Sequence, residues 1–190
     1  MKIKAIILSL VVGATLLAGC GAKEVAKTEP AKTTAVTKEP AKADAITAAS
    51  IVNDQTTLQK SSSKEGSWIV LLTKDLTVDK EIVLEGEFTK PDKADATKKV
   101  PAGRKLILMT RDAKKVTTGT FTLKAPKLTV KSLNTTMEGG TFVGDVYVQS
   151  KGFALEKIKI QGNLYFATKE LKSAFKLSEG SSVTGTTAVK

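Results

Sequence analysis

From residue 68 onward, short apolar runs alternate with glycine, proline and charged residues. Trp68-Ile69-Val70-Leu71-Leu72 is a continuous apolar run of buried-strand length, and Leu76-Thr77-Val78 alternates. Ile82-Val83-Leu84-Glu85-Gly86-Glu87-Phe88 reads as a strand broken by glycine. Leu106–Met109, Thr120–Leu123 and Leu128–Val130 continue the series. Such runs, bounded by turn residues, predict strands. Ala45–Lys60 differs: Ile51 and Leu58 stand seven apart among several alanines, which predicts one amphipathic helix. Ser61–Gly66 then reads as a turn. Residues 89–103 hold Pro91, Pro101 and Gly103 among charges, and read as a long loop.

The last third repeats. Phe142-Val143-Gly144-Asp145-Val146-Tyr147-Val148 is echoed by Ile160-Gln161-Gly162-Asn163-Leu164-Tyr165-Phe166. A third copy is Val183-Thr184-Gly185-Thr186-Thr187-Ala188-Val189. The central glycines lie 18 and then 23 positions apart, and Leu133, Phe153 and Phe175 mark the copies at intervals of 20 and 22. A period near 20 with short strands predicts a solenoid. Each coil is too small to form a core alone, so stacking must supply one. The glycines fall where the chain turns a corner against a neighbour.

The fold class is therefore all-β, a β-solenoid (β-helix) of about six coils stacked some 4.8 Å apart. A short N-terminal helix would cap one end. The alternative is an antiparallel β-sandwich in which pairs such as Val146 and Val148 belong to hairpin strands. The recurring Gly-x-(Val/Leu)-Tyr unit favours the solenoid.

The start of the chain has another character. Lys2 and Lys4 precede an apolar stretch from Ala5 to Ala18, shorter than the roughly 20 residues of a membrane-spanning helix. It ends in Leu17-Ala18-Gly19-Cys20, which reads as a signal peptide. This segment resembles the bacterial lipoprotein signal with its lipobox. The resemblance implies cleavage between Gly19 and Cys20, removal of residues 1–19, and a diacylglyceryl group on Cys20. Two acyl chains make a stable anchor. The implied location is the cell membrane, lipid-anchored on its extracytoplasmic face, the outer surface in a Gram-positive cell. Residues 20–44 follow as a tether of Lys, Glu, Pro, Ala and Thr, with Glu-Pro-Ala-Lys at 29–32 and again at 39–42. This composition buries too little apolar area to fold. Residues 45–190 form the β-helical domain.

Composition narrows the chemistry. The 190 residues include 30 Lys and Arg, 19 Asp and Glu, one Cys and no His, a formal net charge of +11. Imidazole catalysis, an internal disulfide and a cysteine zinc cluster are excluded. The basic surface, including Lys98-Lys99, Lys114-Lys115 and Lys157/Lys159, suits anionic wall polymers. No nucleic-acid reading motif is present. Acidic pairs occur at Asp75/Asp79, Glu85/Glu87 and Asp92/Asp95, and the arginines are Arg104 and Arg111. None has the density of a calcium site or an evident proton acceptor. No catalytic, cofactor-binding or metal residue is assigned. Tyr147 and Tyr165 occupy matching repeat positions and are expected to stack.

Gly144-Asp145-Val146-Tyr147 and Gly162-Asn163-Leu164-Tyr165 resemble the rungs of bactofilin-type, polymer-forming β-helices. Ile69–Phe88 resembles the opening coils of pectin-lyase-like β-helices. The domain as a whole is similar to uncharacterised lipoproteins of clostridia and related Gram-positive bacteria. These resemblances bring no assigned function; the absent His, the two arginines and the sparse acids favour a non-enzymatic, membrane-anchored scaffold, or a binder of anionic wall polymer or polysaccharide, that can self-associate. The alternative is a carbohydrate-active enzyme of the pectin-lyase-like kind.

Overall fold

The structure is a computed structural model and describes residues 49–190. Cys20, its signal peptide, the 20–44 tether and residues 45–48 of the expected helix lie outside the described residues.

Most strands here are two to four residues long, far too short to persist alone. Each is held by the strand one coil away. The described chain opens with β1 (Ser50–Val52) and α1 (Gln55–Ser62). A first coil follows as β2 (Ile69–Leu72), β3 (Leu76–Thr77) and β4 (Ile82–Leu84), and then a hairpin of β5 (Phe88–Pro91) and β6 (Lys99–Ala102). The second coil is β7 (Lys105–Ile107), a hairpin of β8 (Met109–Arg111) and β9 (Thr117–Thr120), and the long β10 (Thr122–Val130). The third is β11 (Thr136–Glu138) and β12 (Thr141–Val148). The fourth is β13 (Ala154–Glu156), β14 (Lys159–Gln161) and β15 (Leu164–Phe166). After α2 (Lys169–Ser173) the fifth coil closes with β16 (Lys176–Leu177), β17 (Ser182–Val183) and β18 (Thr187–Val189).

Three parallel faces result. The first runs β1-β2-β7-β11-β13-β16. The second holds β3, the front of β10, the front of β12, β14 and β17; the third holds β4, the rear halves of β10 and β12, β15 and β18. Among the described residues only the two hairpins pair antiparallel, so the chain is a β-solenoid and not a sandwich. The first face is six rungs tall, roughly 25 Å at the usual strand spacing.

Alternation along each strand sends every second side chain inward, where equivalent positions stack in ladders. Val70, Leu106, Met137 and Leu155 line the first face in register. Leu123, Phe142 and Ile160 line the second, and Leu128, Val146 and Leu164 the third. All of these are fully buried. The ladders also give the true repeat. Met137 and Leu155 are 18 positions apart. The longer gaps, 36 from Val70 to Leu106 and 31 from Leu106 to Met137, each contain one hairpin.

Four expectations need correction. The helix expected over 45–60 is, within the described residues, a strand and then a helix. Val52 is buried and pairs with Leu72, while Ile51 faces outward. Asp54 then stops the strand: its carboxylate accepts from Thr57 N at 2.8 Å, an N-cap that starts α1 at Gln55. Helix α1 runs on through Ser61 and Ser62, expected as turn, and tucks Leu58 completely out of solvent beneath the first coil. Residues 89–103 are not a loop but largely the β5–β6 hairpin, in register from Phe88↔Ala102 to Pro91↔Lys99. Proline is tolerated because each strand of a two-stranded ribbon keeps one free edge. The Leu133 marker also falls out of the ladder. Phe153 and Phe175 stack at 5.7 Å, but Thr135 occupies the level below Phe153 and Leu133 is 48% exposed.

The corner between the second and third faces is the tightest. Gly144 has φ +139°, and a Cβ there would strike the Ala125 carbonyl oxygen one coil below. A Cβ on Gly162 would strike the Gly144 carbonyl, and one on Gly185 that of Gly162. The three repeat glycines are one stack. Gly144→Ala is therefore expected to cost roughly 2–3 kcal/mol, since it combines a disfavoured backbone conformation with a clash against fixed backbone. Urea unfolding followed by circular dichroism checks this, and an unchanged midpoint would contradict the stacking.

Candidate functional site

The two ends of the column are unequal. At the first coil, α1 lies against β1, β2 and β4 and closes the ladder with Leu58. At the other end β16, β17 and β18 each pair on one side only, as β1, β3 and β4 do at the first, so the difference between the ends is the helix packed on the first. The inward positions of β16, β17 and β18 continue the ladders, yet Leu177 is 52% exposed and Val189 41%. Helix α2 touches β15 and β18 but leaves both side chains open to solvent. It sits on the side between third and first faces, where Leu171 and Phe175 pack on the core and Phe175 meets Phe153 and Phe166. The last coil thus presents apolar ladder ends and free strand edges together, the combination that recruits another chain.

The corner between third and first faces carries two clefts. One of about 330 Å³ lies between Phe88, Pro101 and Ala102 of the hairpin and Leu133-Asn134. The other, of about 490 Å³, lies beyond Leu133 against Ser150, Lys151, Glu170 and Leu171. Beneath the first sits Arg104, fully buried, its guanidinium 4.8 Å from the Phe88 ring. It donates to the Ser63 carbonyl at 3.2 Å and to the carbonyls of Ser61 and Glu85. Ser61 and Ser63 belong to the C-terminal turn of α1, where helix carbonyls lack internal partners and attract a cation. Burial pushes the Arg104 pKa down to about 10, and the charge of Glu85 opposes that shift. Arg104 is a clamp that fixes the cap. The other arginine, Arg111, is bound to Glu138 at 2.7 Å, and Lys105 reaches the same carboxylate at 3.2 Å. Glu138 is almost fully buried. Nothing in its sequence surroundings marks it, since its role arises only when β8 folds back over the first face.

The acidic pairs separate. Asp75 accepts from Thr122 N, whereas Asp79 lies at the next corner, its own N–H donating to Gln55. Glu85 contributes its backbone carbonyl to Arg104, and Glu87 lines the first cleft. Asp92 and Asp95 shape the hairpin turn, accepting from Ala94 N and Thr97 N. Among the described residues no cluster of three acidic or thiol groups could hold a metal ion. Of the lysine pairs, Lys98 is bound to Asp95, Lys114-Lys115 lie at the other hairpin's turn, Lys157 lies between β13 and β14, and Lys159 opens β14. They form no single patch. Tyr147 and Tyr165 do stack across neighbouring rungs, centroids 4.9 Å apart and tilted by 42°. Lys190 sits over both rings and Lys127 over Tyr147, so cations occupy the ring faces a sugar would need.

Replacing Arg104 with Met keeps the stem and deletes the donors to three carbonyls. The expected loss is roughly 2–4 kcal/mol, with α1 the first element to loosen. Hydrogen exchange at the Leu58 and Glu85 amides reads this directly; protection equal to the native chain would contradict the clamp. Set against known proteins, the chain matches no family model, no curated protein and no solved structure.

Proposed function

We propose that the protein is a non-enzymatic envelope scaffold: a rigid β-helical column, lipid-anchored through Cys20 and associating through its open last coil. The carrying observation is the inequality of the ends. Leu177 and Val189 extend buried ladders into solvent at one end, while α1 seals the other. A partner with a matching three-sided cross-section is needed to cover those ladders, and another copy has one. Because the α1 end is closed, like meets like, which gives a two-fold dimer that terminates itself. The scaffold reading is favoured over a pectin-lyase-like enzyme because Arg104 and Arg111 are both committed to internal partners. Anionic wall polymer remains the ligand class best suited to the basic surface.

Sedimentation velocity of the Cys20→Ser chain from residue 20 onward, across concentration, is expected to show a monomer–dimer equilibrium. Leu177→Lys with Val189→Lys should leave a folded monomer with the native circular dichroism spectrum and a modestly lowered melting temperature. A native chain that stays monomeric at all concentrations would overturn the end-to-end reading, and open-ended filaments would show that α1 does not seal its end.

The anchor has its own test. In cells, Cys20→Ser should abolish the lipid mass increment and release the protein from the membrane fraction. Unaltered fractionation would refute lipid anchoring.

A further inference from the structure

Outward positions on this column are mostly polar, with isolated apolar residues such as Val83 and Val143. The outward column of the third face, for example, reads Val83, Thr129, Tyr147, Tyr165, Ala188, with no two large aliphatics in succession. The first face breaks the pattern in its early rungs. Ile51, Leu71 and Ile107 lie one above another in register, on the side opposite the buried Val70 and Leu106. Ile69 shares that outward side, and Trp68 stands at its margin. Ile51 is 59% exposed and the others are half-buried. One rung further the same column becomes Glu138 and then Glu156. The apolar stretch is therefore confined and ends on charge.

Both inserted hairpins border this patch. β5–β6 leaves the column just ahead of the first face, and Lys90 reaches to 5.8 Å from the Trp68 ring. β8–β9 leaves just behind it and is tied back to the same face by Arg111 and Glu138. The hairpins, residues 88–102 and 109–120, together carry seven Lys and Arg against three Asp. Lys90 thus sets a cation at the Trp68 edge of the aliphatic floor, and both hairpins beside it stay net positive although Lys98 and Arg111 are paired with carboxylates.

We propose that this face is a docking surface for an acidic, amphipathic polypeptide segment. Its apolar side chains would cover Ile51, Leu71 and Ile107, and its carboxylates would meet the hairpin lysines. The floor gives a purely ionic polymer nothing to bury, and the margins repel a basic segment. An apolar centre with a charged rim is the ordinary anatomy of a protein–protein contact.

Trp68 is the only tryptophan in the chain, so its emission reports on this surface alone. The experiment titrates the Cys20→Ser chain, from residue 20 onward, with a short peptide of alternating glutamate and valine. Polyglutamate of equal length and a lysine–valine peptide serve as comparators. A saturable shift of Trp68 emission is expected with the first peptide only. Ile51→Ser, and separately Lys114→Glu with Lys115→Glu, should each weaken binding about tenfold. All three positions are exposed, so melting should not change. No saturable response, equal binding of polyglutamate, or indifference to Ile51→Ser would each overturn the proposal.

Discussion

Everything in this molecule depends on parallel pairing between successive coils. A strand such as Leu76–Thr77 or Ser182–Val183 has no independent existence. Its backbone groups are satisfied only by the rung beside it, and its inward side chain is dry only when a rung lies on both sides. Stability is thus a nearest-neighbour property. That constraint explains why the ladders are so regular in the middle, where Leu106, Met137 and Leu155 are wholly buried, and why burial fails abruptly at Leu177. It also explains the glycine stack. Coils spaced by one strand width leave no room for a Cβ pointed at the carbonyl below, so Gly144, Gly162 and Gly185 are consequences of the coil spacing rather than separate flexible points.

The same constraint decides where the chain can vary. A residue inserted within a rung would shift every inward side chain to the outside. Corners carry no such penalty. Both hairpins and α2 are corner insertions, and each leaves the register of the flanking rungs intact. Insertions need their own tethering, which the structure supplies with buried charge. Glu138 holds β8–β9 to the first face, and Arg104 joins the α1 terminus to Glu85, next to the departing β5. Removing one member of such a set strands the others in a poorly solvated place, so these ion and carbonyl contacts define position more than they add net stability.

This division accounts for what was legible in the sequence. Inward positions recur with the coil, so the solenoid, its short strands and the paired Tyr147 and Tyr165 could be read directly. Corner insertions dilute the period. The 18-residue spacing is visible between Gly144 and Gly162 but is stretched to 36 and 31 by the hairpins, and the earlier coils looked unrelated to the later ones. Proline and charge made Phe88–Ala102 look like loop because a solvated ribbon obeys weaker rules than a central strand. Ile51 and Leu58 matched a helical face by chance; Asp54 was the decisive residue, and a cap signal outweighs a single seven-residue coincidence. The clamp at Arg104 and the triad at Glu138 were illegible for another reason. Their partners lie 19 to 43 positions away, on elements joined only by the coil stacking.

The unequal ends also give the column a direction. The described chain enters at the sealed end, through β1 and α1, and finishes at the open one. An attachment at Cys20 would hold the sealed end and leave the open coil as the distal tip. Two such columns joined tip to tip would then place both anchors at the outer ends of one rod about twice the length of the monomer. The early rungs of the first face lie at the sealed end. A segment docked on Ile51 and Leu71 would therefore bind at the sealed end, well separated from the open coil, and the two surfaces would work without competing for the same space.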